Sequence, residues 1–300
     1  MQTRELVSLG KAFFRDLRRN HEKNISQIRS EVGIAYPTIK YNWDKLFTNG
    51  PLLDTGKNKF VINSDYQSFA GIYVSKDTID LSVIDFSGKE IKYVSKKYNG
   101  NYIFYEVLQE IFLSLDSSVE AVAICSDEYL EGTKPPKINE LIWVNDSFIK
   151  EKLPESIEYY FEKTCVTNSF KWYEDSANDE LNVIFSLSEQ NSFYTIMKNG
   201  VIVQKRITYG LCEDFYEKVI KPVWQSINPN NMVFVNFSNM KSDVLESYIS
   251  EWQNKIRISH LNLNKDFETR EYTNLICFDK FHKSKGSALY ALYTYYGWTD

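Results

Sequence analysis

Residues 24–62 read NISQIRSEVGIAYPTIKYNWDKLFTNGPLLDTGKNKFVI. Ile25, Ile28 and Val32 fall at helical spacing, and Gly33 follows as a turn residue. A second amphipathic run starts at Tyr36-Pro37-Thr38 and carries Ile39, Trp43, Leu46 and Phe47 on one face. Pro37 suits a first helical turn, where no amide donor is needed, and Gly50-Pro51 stops the run. Leu52-Leu53 and Phe60-Val61-Ile62 then flank DTGKNK, a hairpin turn. Two helices joined at a glycine and followed by a hairpin predict a winged helix-turn-helix, which sets its second helix in the DNA major groove.

On that second helix Tyr36, Thr38, Lys40, Tyr41 and Asn42 lie off the apolar face. Lysine and asparagine bond base edges or phosphates. Lys57 and Lys59 at the hairpin tip are placed to meet the phosphate backbone. The competing reading is a small helical bundle for protein contacts. Arg29 is the one arginine of the stretch, and Asp44 sits among the candidate contacts.

The chain has 300 residues and a formal net charge of −5, so global charge gives no case for nucleic acid. Its distribution does. Residues 1–66 carry eleven Lys and Arg against seven Asp and Glu, a net of +4, which leaves −9 for the remainder. A basic head on an acidic body is the asymmetry of a DNA-binding domain joined to a regulatory one. Cys125, Cys165, Cys212 and Cys277 are far apart and form no CxxC pair, so they read as buried, reduced thiols of a cytoplasmic protein. The charged N-terminus predicts no secretory leader. No apolar run approaches the ~20 residues of a membrane span. The 21 Tyr and 19 Phe fit aromatic strand cores better than a sugar-stacking surface.

Outward from the opening stretch, residues 3–20 read as a helix with a basic end, and 63–68 as a linker. Three strand-like runs follow at 69–75, 78–86 and 89–98, then a helix at 101–116 and a buried strand at 119–126. The same order returns at 181–187, 192–199 and 201–207, then a helix at 211–226 and a strand at 231–238. Gly88 and Gly200 occupy equivalent turns. Two copies of βββαβ predict a two-lobed α/β body with a cleft. Between them a loop around Pro135-Pro136, a helix at 147–161 and a strand in KTCVTNS are expected. A helix near 241–253, a strand in IRISHLNL and a last helix near 284–296 complete the chain.

This layout resembles the ROK family of repressors and sugar kinases. GIYVSKDTIDLSVIDFSGKEI (71–91) is similar to the family's first strand pair. KINELIWVNDSFIKEKLPESIEYYFEKTCVTNS (137–169) is similar to its segment from Asn-Leu-x-x-Trp to Glu-Asn-Asp, with Asn139, Trp143 and Asn168 matching. MKNGVIV (197–203) is similar to the hairpin after its second glycine-rich loop. The resemblance implies an N-terminal winged helix-turn-helix (1–66) and a two-lobed, actin-like and hexokinase-like (ribonuclease H-like) α/β body (67–300). Lobe 1 would span about 67–178 plus the C-terminal helix, and lobe 2 about 179–280.

Departures from the family pattern then bear on chemistry. Ser169 stands where the kinases have their catalytic Asp, and a serine hydroxyl is no carboxylate base near neutral pH. Tyr73 replaces the phosphate-loop Asp, and Ser75 and Lys76 replace loop glycines. Glu189-Gln190-Asn191-Ser192 replaces the second glycine loop. The Gly-His and cysteine-rich zinc segment has no counterpart, and the histidines are His21, His260 and His282. These imply a non-catalytic, pseudokinase-like body with no cofactor, no zinc and no ATP. Asp127-Glu128, Asp175 and Asp179 read as solvated loop charge rather than an acid–base pair. Lys76-Asp77 is a weak candidate for a phosphate-bearing ligand. Asn139, Asn168 and Ser169 are the ligand-binding candidates, for a carbohydrate-like effector or another small molecule. The expected protein is a homodimeric DNA-binding regulator, with a residual sugar kinase and a protein-binding scaffold as alternatives.

Overall fold

A computed structural model describes residues 3–8, 10–20, 22–32, 36–48, 50–57, 59–75, 77–99, 101–126, 146–176, 180–187, 191–236, 242–263, 273–277 and 282–299. The chain divides into two compact units, Met1–Thr167 with His282–Asp300, and Asn168–Phe281.

Unit 1 begins with α1 (Thr3–Ser8) and α2 (Lys11–Asn20), one expected helix split at Gly10. Then come β1 (Lys23–Asn24), α3 (Ile25–Val32), α4 (Tyr36–Tyr41) and α5 (Trp43–Phe47). β2 (Leu52–Gly56) and β3 (Lys59–Ile62) form the hairpin, and β1 joins it in an antiparallel sheet of order β1-β3-β2. Asn24 caps α3 by accepting from the Gln27 amide (3.0 Å), while Gln27 Oε1 accepts from the Asn24 amide (2.8 Å). This reciprocal box satisfies two donors that a helix start leaves open. Asn24→Ala is expected to cost about 1 kcal/mol, read as a lower denaturant midpoint at unchanged slope. Phe13, Leu17, Leu46, Leu52 and Phe60 are buried beneath these elements.

The larger sheet of unit 1 has β4 (Ser68–Val74), β5 (Thr78–Asp85), β6 (Glu90–Lys97), β7 (Val119–Ser126) and β8 (Glu158–Lys163) in the order β6-β5-β4-β7-β8. On one face α6 (Asn101–Leu113) and α7 (Asp146–Lys152) bury Phe104, Leu108, Phe112 and Ile149 against Ile72, Leu81 and Ile124. On the other face lies α11 (Lys283–Tyr295). Gly71 of β4 allows that approach: a Cβ there would lie 2.0 Å from Ser284 O and 2.1 Å from Ala288 N. Ser82 and Ser284 hydroxyls meet at 2.7 Å, and Cys125 Sγ and Ser287 Oγ at 2.6 Å.

The far end of α11 holds α1 and α2. Arg4 Nε donates to Tyr295 O (2.7 Å), its other nitrogens grip Glu158 (2.5 and 3.2 Å), and its guanidinium lies 3.8 Å over the Tyr295 ring. Lys11 donates to Trp298 O, and Trp298 Nε1 to Ser8 O (3.0 Å). Phe14 stacks on Trp298 at 6.2 Å and meets Phe86 edge-on at 5.8 Å. Burial pushes the Glu158 carboxyl up, but hydrogen bonds from Arg4 and Tyr160 outweigh it and leave Glu158 below its usual range. Burial, reinforced by Glu120, pushes the Tyr295 phenol up to about 12.

Unit 2 repeats the body plan: β9 (Asn182–Leu187), β10 (Asn191–Lys198), β11 (Val201–Tyr209), β12 (Asn231–Asn236) and β13 (Asn274–Cys277), ordered β11-β10-β9-β12-β13. A π-helical turn (Tyr216–Ile220) runs into α9 (Lys221–Ile227), and with α10 (Ser242–Leu263) it buries Phe215, Trp224 and Trp252 against Phe185 and Phe234. α8 (Thr164–Asp175) begins in unit 1 and ends in unit 2.

Three expected elements are corrected. In KTCVTNS, Lys163 ends β8 and Thr164–Ser169 is helical, as the first half of α8, and IRISHLNL is the end of the 22-residue α10 rather than a strand. Long amphipathic helices override the β preference of a few branched residues. The expected helix at 147–161 stops at Lys152, two residues before Pro154, and β8 follows, pairing parallel with β7. Of the cysteines expected to be buried, Cys125 is, but Cys277 is half-buried and Cys212 exposed on the segment before the π-helical turn.

Candidate functional site

Two places carry the candidate residues. The first is the outer face of α4 and the β2–β3 hairpin. Tyr41 is 84% exposed and Lys40 is exposed beside it. Lys57 stands at the hairpin tip, where φ values of 87° at Gly56 and 57° at Lys57 turn the chain. Asp54 holds that turn by accepting from the Gly56 amide at 2.7 Å. Lys59 is exposed but ion-paired to Glu22 at 2.7 Å. The backbones of Tyr36 and Thr38 lie in α4, and their side chains are outside the described residues. Asn42 is corrected: it is 2% exposed and cannot face a groove. The helix breaks there into α4 and α5, so the 100° step that put Asn42 outside does not apply.

Several cations of residues 1–66 turn inward instead. Arg15, Arg18 and Lys23 are buried, and Lys23 pairs with Asp16. Arg29, Lys40, Lys45, Lys57 and Lys59 are the exposed cations among the described residues from 24 to 62.

The second place is α8. Asn168 and Ser169 are both fully buried. The Ser169 hydroxyl bonds Thr195 of β10, and Tyr173 packs beneath Gly200 on the same helix side. Thr164, Asn168, Lys171 and Asp175 recur on a different stripe of α8, at steps of four, three and four. Lys171 and Asp175 form an ion pair. Both amide atoms of Asn168, and Thr164 Oγ1, have no hydrogen-bond partner among the described residues. A buried amide left so costs about 1–3 kcal/mol unless something bonds it. Asn139, Trp143, Lys76, Asp127, Glu128, Asp179, Glu189 and Gln190 lie outside the described residues.

At the β4–β5 turn, the Ser75 amide donates to Thr78 O (2.9 Å) and the Thr78 amide to Ser75 Oγ (3.0 Å). Tyr98 OH donates to Ser75 O, and Lys283 Nζ donates to Tyr73 OH at 3.2 Å. Amides closed on their own hairpin do not cradle a phosphate. Among the described residues no three His, Cys, Asp or Glu gather as a metal site, and no helix is long and apolar enough to cross a membrane.

No protein-family model matches the chain, and no curated protein does. Solved structures match by fold. A ROK family transcriptional regulator, described as a homolog of the E. coli MLC protein, aligns with TM-score 0.65 at 11% identity, covering 98% of this chain and 97% of its own. The chain has the ROK fold. A ROK hexokinase from Thermus thermophilus shares that ROK fold with TM-score 0.54 at 12% identity, over 76% of this chain and 99% of its own. A ROK family protein from Streptococcus pneumoniae TIGR4, solved with sucrose, gives 0.56 at 10% identity, over 77% and 100%. The ROK fold is therefore common to a regulator and to sugar kinases. Asn168, at the position of the motif's Asn, and Ser169, where the motif has Asp, are both buried. The reciprocal Asn24–Gln27 cap is carried by the N-x-x-Q spacing, which marks the start of α3.

Proposed function

We propose that the chain is a DNA-binding transcriptional regulator of ROK type, with residues 1–66 as a winged helix-turn-helix and the body as a non-catalytic sensing and dimerisation domain. The observation that carries this reading is the exposed Lys40–Tyr41 face of α4 beside a hairpin with Lys57 at its tip. α3 and α4 are the helix pair and β2–β3 the wing. Lys40 and Tyr41 meet base edges or the thymine methyl, and Lys57 and Arg29 meet phosphates. The regulator's fold covers 98% of the chain, whereas the hexokinase's leaves out a share the size of the head. Asn168 faces the effector. A buried amide with both donor and acceptor open suits a hydroxyl-bearing small molecule. The regulator acts as a homodimer on two half-sites, in the cytoplasm.

The test is selection of genomic duplexes by full-length protein at two salt concentrations, beside Lys40→Ala/Tyr41→Ala. A two-half-site sequence should be enriched and should bind the variant about 30-fold more weakly. The two phosphate contacts per head, at Lys57 and Arg29, put the slope of log K against log salt at about −2 per head. No enrichment at low salt would sink the reading.

A second reading, a residual sugar kinase, is favoured by the hexokinase match. Hexose-dependent ADP release by the purified chain, abolished by Asn168→Ala, would establish it.

A further inference from the structure

Arg4, Lys11 and Arg18 of α1 and α2 reach the end of α11 and the residues after it. Arg4 is bonded at once to the end of α11 and to the start of β8, through Tyr295 O and Glu158. Arg18 reaches Tyr293 OH at 3.3 Å and lies 5.5 Å over the Trp298 ring. Trp298, 1% exposed, is stacked on Phe14 and bonded to Ser8 O. α11 itself is pinned on β4 by the close approach at Gly71 and by the Ser82–Ser284 contact. So the first helix of the head is fixed to a rigid sheet by polar contacts of defined direction, which an apolar seat alone would not specify.

We infer that Arg4 and Trp298 are positioning residues for DNA recognition: by holding α1 and α2 on the end of α11 they set the angle at which α4 and the wing are presented, and hence the half-site spacing a dimer accepts. This rests on the reading of the chain as a dimeric DNA-binding regulator. Neither residue touches DNA. Both act through the head they orient. A two-headed protein reads half-sites one helical turn, about 10 base pairs, or multiples apart, so a rigidly held head rejects duplexes whose half-sites are rotated out of phase. A released head tolerates them, and binds the in-phase site less well because fewer molecules present both heads correctly.

The experiment uses full-length protein and the selected duplex, with versions carrying five extra base pairs between half-sites. Wild type should lose about 30-fold on the lengthened duplex. Arg4→Gln should bind the original duplex about tenfold more weakly and lose less than threefold more on the lengthened one. Its salt slope should be unchanged, because no phosphate contact is removed. Arg4→Lys, which keeps a cation by Glu158, should recover part of the spacing penalty. Trp298→Phe, which keeps the stacking and loses the bond to Ser8, should behave likewise. Hydrogen exchange of β4 and β7 at wild-type rates checks that each variant is folded. Equal spacing profiles for wild type and Arg4→Gln overturn the positioning role while leaving the regulator reading intact. A wild type that binds no duplex at low salt overturns both.

Discussion

Gly71→Val is expected to unfold the body of unit 1 while leaving the core of unit 2 formed. The Cβ of any side chain at this position would stand 2.0 Å from a carbonyl oxygen and 2.1 Å from an amide nitrogen of α11. Both are backbone atoms, so no rotamer change relieves the clash. The helix must back away, and with it go the Ser82–Ser284 and Cys125–Ser287 contacts and the buried Ala288, Leu289 and Leu292. A loss above about 4 kcal/mol follows, at the far end of what single substitutions do. Thermal unfolding should resolve an early step, with hydrogen exchange fast in β4, β7 and α11 and slow in β9 and β12. A melting temperature within 2 °C of wild type would mean that α11 is not held where the structure puts it. Gly71→Ala should fall between the two.

The second large effect is expected at Gly200. It closes a two-residue hairpin between Lys198 and Val201, with φ of 52° at Asn199 and 73° at Gly200, the sense that joins twisted antiparallel strands without splaying them. Alanine there meets two obstacles. The left-handed backbone costs about 1–2 kcal/mol, and a Cβ would sit 2.1 Å from the buried ring of Tyr173, adding about 1–3 kcal/mol of overpacking. Because Tyr173 shares α8 with Asn168 and Ser169, the push is delivered to the candidate effector site. A double-mutant cycle separates the two. In a Tyr173→Ala background the further cost of Gly200→Ala should shrink to about the backbone share. Equal costs in both backgrounds would show that the ring is not the obstacle.

Both glycines bear on what a reader of the sequence can see. Asn199-Gly200 and Gly88 announce their turns through local chemistry alone, and with them the two copies of three strands, a helix and a strand. Gly71 announces nothing, because its role is set by a helix more than two hundred residues away. α8 and the end of α10 were hidden for a related reason. Cys165-Val166-Thr167 and Ile256-Arg257-Ile258 are locally strand-like, and tertiary burial of a helical stripe decided otherwise. β8 was hidden inside an amphipathic run, although its Tyr159–Phe161 alternation marks it. Among the candidate residues, Lys40, Tyr41 and Lys57 are exposed, as polarity at helical and hairpin positions predicts. Asn42 could not be excluded, because the break between α4 and α5 has no glycine or proline to mark it. Nor does a count of cations carry direction. Arg15, Arg18 and Lys23 add to the charge of residues 1–66 and face inward.

The grip of α1 and α2 on Tyr293–Trp298 joins the first residues of the chain to the last. During synthesis Phe14 leaves the ribosome well before its stacking partner, and finds it only when Trp298 has been made. At about 5–20 residues per second, the interval from residue 14 to residue 298 is on the order of 15–60 s. Throughout it Phe14 lacks the Trp298 ring.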